Sequence, residues 1–244
     1  MTKRAIVMGA SSGIGREVAL ILLQKGWNIG LAARRLDLLA ELQSAYPEQV
    51  SVSQIDVTAD DALDKLLSLV NGLGGVDLYF HASGIGKQNP ELDVAVEINT
   101  VSTNALGFVS MVDTIFNYMS SNGGGHIAVI SSIAGTKGLG PAPAYSATKA
   151  LQNNYIEALE QLSNSRKLNI RFTDIRPGFV NTDLLKDGKY PMLLSAKKVA
   201  KDIIKSIEKN RKVRVIDGRY RLLTFFWKLI PRFLWSKFNL LNKT

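Results

Sequence analysis

Three side chains in the second half of the chain have the types and spacing that move a proton. In "VISSIAGTKGLGPAPAYSATKAL", Tyr145 and Lys149 stand four residues apart at the start of an expected helix, so they share one face about a turn apart. An ammonium beside a phenol favours the phenolate, drawing a reference pKa of about 10 toward the range useful for proton transfer. Lys149 also has the reach to hold a ribose hydroxyl. Thirteen residues before the tyrosine, Ser132 ends an expected strand, where its hydroxyl can hydrogen-bond the oxygen of a substrate carbonyl. Taken singly, the tyrosine also reads as a packing aromatic and the lysine as surface charge.

A second stretch, "RAIVMGASSGIGREVALILLQKG", runs from a short apolar strand through a glycine turn into an amphipathic helix that stops at Gly26. Gly9 can leave the strand in a tight turn, Gly13 can let backbone N–H groups approach a pyrophosphate, and Gly15 can bring the helix close to the sheet. Ser11, Ser12 and Ile14 fill the same turn and count with it as cofactor contacts. After the next strand, an NAD-selective site would place an acid to bond the ribose 2′-OH, whereas "LAARRLD" offers Arg34 and Arg35. Guanidinium groups pair instead with a 2′-phosphate through charge-assisted hydrogen bonds, which points to NADP(H). The bland alternative for both is a solvated basic helix start.

These groups need a scaffold, and the chain supplies one. Apolar β-rich runs, "RAIVMG", "WNIGLAA", "VSVSQID", "VDLYFHAS", "GHIAVIS", "LNIRFTDI" and "KVRVID", alternate with helical segments, among them 104–121, 145–164 and 196–209. The alternation predicts an α/β fold, a single doubly wound Rossmann-type domain with a seven-stranded, mostly parallel sheet and its site at the carboxyl ends of the strands. With 244 residues, 46% of them hydrophobic, and no linker or repeat, one domain is expected. There is no cysteine, and His81 and His126 lie far apart, so neither disulfides nor a metal centre is expected. Apolar periodicity begins by Ala5, and no run reaches the roughly 18 apolar residues of a spanning helix, which predicts a cytoplasmic protein. The net charge of +9 suggests an anionic partner.

The ordered set "GASSGIG", "IDVT", "TNALG", "ISSIAG", "YSATK" and "RPGFVNT" resembles the classical short-chain dehydrogenase/reductase family over residues 3–217. The resemblance implies that Tyr145 is the general acid/base, that Lys149 positions the ribose and lowers the tyrosine pKa, and that Ser132 orients the carbonyl. Asn104, three residues before Gly107, would support a proton-relay water, in preference to Asn99. Asp56 would meet the adenine with Val57 beside the ring, and Gly84 would lie against the adenosine ribose. Pro177 and Gly178 would shape the turn around the nicotinamide, while Val180 and Thr182 would contact its carboxamide or the phosphates. Residues 183–195 fall where the family carries a mobile substrate lid. The activity implied is interconversion of a ketone or aldehyde with an alcohol by hydride transfer from nicotinamide C4. A nucleotide-binding regulator without turnover is the alternative, and no motif for nucleic acid is present. The resemblance further implies a homodimer or homotetramer paired through helices 104–121 and 145–164, with Leu106, Val109, Val112, Ile115 and Phe116 as apolar positions on the first.

Two features depart from that pattern. "HASG" at 81–84 stands where the family has Asn-Asn-Ala-Gly, so His81 is expected as a hydrogen-bonded core residue able to donate and accept. Residues 219–244 form an extension beyond the catalytic core at 1–218, with six Lys or Arg, seven aromatics and no acid. On a helix Arg221, Thr224, Lys228, Arg232, Ser236, Asn239 and Lys243 would form one polar stripe, with Pro231 dividing the segment in two. Such a segment suits either the surface of an anionic membrane, beside a lipophilic substrate, or packing against the protein's own core, its pocket or a neighbouring subunit.

Overall fold

Residues 5–8 offer no polar side chain to water, so the first strand has to be covered on both faces. The computed structural model, which describes residues 2–185 and 190–238, meets that demand with a layered α/β architecture. Its strands are β1 (Arg4–Met8), β2 (Asn28–Ala33), β3 (Val50–Gln54), β4 (Leu78–His81), β5 (Gly125–Ile130), β6 (Ile170–Arg176), β7 (Val180–Asn181), β8 (Leu194–Ser195) and β9 (Val213–Val215). Seven of them form one sheet in the order β3-β2-β1-β4-β5-β6-β9, every pairing parallel, and these are the seven runs expected from sequence. The two-residue strands β7 and β8 pair separately and were not anticipated, being too short to carry a periodicity.

The helices are α1 (Gly13–Gln24), α2 (Leu36–Ala45), α3 (Ala62–Gly72), α4 (Val94–Val101), α5 (Phe108–Ser121), α6 (Pro143–Ser165), α7 (Ala196–Glu208), α8 (Gly218–Leu229) and α9 (Arg232–Trp235). On one face of the sheet Val18 and Leu22 of α1, Leu39 of α2 and Ile203 of α7 share a core. On the other, Leu66 of α3, Phe108 and Ile115 of α5 and Ile156 of α6 form a second. Helix α7 shows why the chain is so basic: Val199, Ile203 and Ile207 point inward while Lys197, Lys198, Lys201 and Lys205 face solvent.

The expected helix 104–121 opens in a wider turn of π type at Ser102–Gly107 and continues as α5, and helical structure already begins at Val94 with α4. A π turn carries an extra residue and rotates the next helix about its axis. Here Gly107 is pressed against Val57, where a methyl group would come within 2.7 Å of the Val57 carbonyl oxygen. That contact explains the Asn-x-x-Gly spacing, because it fixes the turn that holds Asn104. Of the apolar positions expected on this helix, Val112, Ile115 and Phe116 are core, whereas Leu106 is exposed.

The order of strands reverses between β1 and β4, so their helices fall on opposite faces and a crevice opens at their carboxyl ends. Gly9, Gly84, Ser132 and Pro177 all lie just past the ends of β1, β4, β5 and β6.

Candidate active site

Helix α6 starts with Pro143 in its first turn, two residues before Tyr145, and presents Tyr145 and Lys149 to the end of β5. The turn of 3-10 type at Ile133–Thr136 packs on α6, with Gly135 against the Lys149 backbone, which brings Ser132 toward the tyrosine. The Ser132 hydroxyl accepts from Ala134 N–H at 3.0 Å. Burial pushes the Tyr145 phenol above its ordinary pKa, and a hydrogen bond with the Ser132 hydroxyl works the other way. This direction is opposite to the one expected from a neighbouring ammonium. The cause is burial of the phenol; the Lys149 Nζ lies 5.7 Å from the centre of the tyrosine ring and donates to Ile130 and Gln152.

Lys149 is buried and donates to the Ile130 carbonyl at 3.0 Å and to the Gln152 Oε1 at 2.9 Å. Burial pushes its pKa down to about 8, with the negative charge of Asp174 acting to raise it. Gln152, itself fully buried, donates its Nε2 to the Asn104 carbonyl at 2.8 Å. The Asn104 carbonyl therefore has a side-chain amide as donor. The Asn104 side chain clamps the loop after β4: its Oδ1 accepts from Ile85 N–H at 2.8 Å and its Nδ2 donates to the Ile85 carbonyl at 2.7 Å. That clamp lays Gly86 flat on the Tyr145 ring, where a methyl would come within 2.7 Å of a ring carbon, and sets Gly84 beside Asn104 and Lys149.

The glycine turn borders the same crevice. Gly9 adopts a φ of +88°, and a side chain there would strike the Ala82–Ser83 backbone at 2.7 Å, so no other residue is accommodated. Ser12 precedes α1 without capping it, and the helix has no acid in its first turn, so neither supplies a side-chain acceptor for its leading N–H groups. The hydroxyls of Ser11 and Ser12 accept instead from Arg35, at 3.1 and 2.8 Å, and Arg35 also lies 3.7 Å from Asp183. Arg34 is exposed at the end of β2 with its carbonyl held by Gln54. Burial raises the Asp56 pKa, but two hydrogen bonds from Thr58 and the charge of Arg34 outweigh it and hold the carboxyl below the usual range. Val57 is buried under Gly107. Past β6, the Pro177 carbonyl accepts from Ile133 N–H, Val180 is buried in β7, and the Thr182 side chain packs toward Gly13. Residues 186–189 of the expected lid lie outside the described residues.

His81 is fully buried, its Nδ1 paired with the Tyr79 hydroxyl at 2.9 Å and its ring edge-on to Phe108. Its Nε2 has no well-formed hydrogen-bond partner among the described residues, and the Ser83 backbone pulls it toward the charged form less strongly than burial pushes it away. Burial, aided by the Lys149 charge, pushes its pKa down to about 3, and burial with Arg171 pushes that of His126 down to about 4. Both are therefore neutral in the fold and bind a proton once unfolded, so stability is full above pH 6.5 and is lost as pH falls from there toward 4 and 3. Each contributes a slope approaching about 1.4 kcal/mol per pH unit inside its window. The urea midpoint should therefore drop between about pH 7 and about pH 5, and less in His81→Asn than in the wild type.

Sequence reasoning missed two residues here. Gln152 reads as an ordinary helical position, and only its place three residues after Lys149 could have signalled it. Tyr220 looks like part of the aromatic extension, yet it is fully buried against Gly178, accepts from Phe179 N–H at 3.1 Å and donates to the Pro191 carbonyl at 3.0 Å. It joins the turn after β6 to the C-terminal part of the lid region at Pro191 and Met192.

The family model for short chain dehydrogenases matches residues 3–190, and the chain belongs to that family of oxidoreductases, whose members use NAD(P)(H). It is 34% identical over 196 residues to an uncharacterised oxidoreductase of Myxococcus xanthus, covering 78% of this chain and 77% of the relative. A Mycobacterium tuberculosis relative, also an uncharacterised oxidoreductase, is 28% identical over 243 residues, covering 96% and 93%. Among solved structures, a short chain dehydrogenase from Burkholderia cenocepacia in complex with NADP aligns with a TM-score of 0.84 at 18% identity, covering 97% of each chain.

Proposed function

We propose that the protein is an NADP(H)-dependent oxidoreductase that interconverts a ketone or aldehyde with an alcohol. The observation that carries the reading is the convergence of Ser132, Tyr145 and Lys149 on the crevice that the uncapped glycine turn also faces. Gly9, Ser11, Ser12, Gly13, Ile14 and Gly15 would hold the pyrophosphate, Asp56, Val57 and Gly84 the adenosine, and Pro177, Gly178, Val180 and Thr182 the nicotinamide end. Bound NADPH would supply the hydride. Ser132 orients the carbonyl oxygen, Tyr145 holds the proton that this oxygen takes, and Lys149 positions the ribose. The NADP of the Burkholderia structure is in line with this choice of cofactor. Self-association belongs to the same reading, supported by the exposed Val94, Ile98, Val101 and Leu106 on α4 and the turn after it. Purified protein should consume NADPH in the presence of ketones or aldehydes; no consumption with any member of a broad carbonyl panel would overturn the reading.

Arg34 is the better candidate for the 2′-phosphate, since Arg35 is already engaged with two serines and stands near Asp183. Arg34→Ala should weaken NADPH binding by about 1.5–3 kcal/mol, roughly ten- to a hundredfold, and leave NADH almost unaffected. Fluorescence titration of both nucleotides checks it. Equal wild-type affinities for NADPH and NADH would remove the phosphate-reading role.

A further inference from the structure

We propose that the outer face of α8 and α9 is a docking surface for an anionic lipid bilayer. The expected polar stripe is broken in a telling way. Thr224 lies inside, bonded to the Tyr220 carbonyl, whereas Leu222, Phe225, Phe226, Leu229 and Phe233 are each more than half exposed. Large apolar side chains clustered on one exposed face mark an interaction site.

The segment is firmly held, so this exposure belongs to the folded state. The Trp235 indole N–H donates to the Gly138 carbonyl at 2.7 Å, and the Lys137 ammonium donates to the Ile230 carbonyl at 2.8 Å. Trp227 and Trp235 pack edge-to-face with ring centres 5.3 Å apart. These contacts, with Tyr220 at the base, take up the inner face of α8 and leave the phenylalanines outside.

Charge selects the occupant. Arg221, Lys228, Arg232 and Lys237 are exposed around the apolar patch, and residues 218–238 contain no Asp or Glu. Among the described residues, Arg219 is the one cation there that is paired, with Asp217 just ahead of the helix. A second copy related by a twofold axis would set like cations against each other. Anionic headgroups pair with them while the aromatic rings enter the acyl boundary. No helix among the described residues is long and apolar enough to cross a membrane, so the contact is lateral.

The test is sedimentation of the full-length protein with vesicles of phosphatidylcholine alone or mixed with phosphatidylglycerol. The protein should pellet with the anionic vesicles at low salt and be released by high salt. Phe225→Ser/Phe226→Ser should abolish pelleting, and Arg221→Gln/Lys228→Gln should weaken partitioning roughly thirtyfold, with thermal midpoints unchanged because all four side chains are exposed. Absence of pelleting with either vesicle, or equal pelleting with both, overturns the proposal. So does a fall in light-scattering mass in the double-phenylalanine variant without loss of partitioning, which would make this face a subunit contact.

Discussion

Tyr145→Phe is expected to lower carbonyl reduction by about 10²–10⁴ while leaving NADPH affinity and thermal stability close to wild type. The variant keeps the ring that packs on Gly86 and removes only the hydroxyl. Burial keeps that hydroxyl protonated near neutral pH, the state needed to hand a proton to a carbonyl oxygen. The same shift sets a direction for the reverse reaction, which needs the phenolate and should therefore accelerate as pH rises. Single-turnover rates at saturating NADPH separate chemistry from binding. A phenylalanine variant that turns over as fast as wild type would remove Tyr145 from the reaction.

The sheet was legible because its strands are short β-rich runs, separated from one another by helical stretches. "GASSGIG" and "YSATK" were legible for a related reason: their spacing lies within one turn or one helix, so local geometry alone brings the groups together. What escaped depends on contacts across the fold. Nothing near residue 104 announces a π turn, since its cause is the approach of Gly107 to Val57, fifty residues earlier. The direction of the Tyr145 shift escaped because burial of the phenol, which raises its pKa, is set by the packing of the whole fold and not by the spacing to Lys149. The extension was misread at Thr224 because a hydroxyl that bonds its own helix carbonyls satisfies itself and can be buried, so polarity alone did not reveal which face turns inward.

Gln152 gives the second large effect. Its amide spans two groups that otherwise have no contact through it, accepting from the Lys149 ammonium and donating to the Asn104 carbonyl, with no exposure to solvent. Gln152→Leu fills a similar volume but deprives a buried cation of one acceptor and leaves the Asn104 carbonyl without this donor. A hydrogen bond to a charged group is worth about 1.5–3 kcal/mol and a neutral one about 0.5–1.5, so the variant should lose roughly 2–4.5 kcal/mol of stability. Lys149, already pushed down to about 8, should titrate lower still, because an acceptor that favours its charged form is gone. Activity that depends on the ammonium should then decline at a lower pH than in the wild type. Gln152→Glu supplies the contrast: a carboxylate restores an acceptor for Lys149 but offers no N–H to Asn104, so it should recover the pH profile more fully than the stability. Chemical denaturation and a pH–rate profile on the three proteins decide the matter. If Gln152→Leu loses stability with an unmoved profile, the residue is only a packing element of α6; if both shift as stated, it positions Lys149.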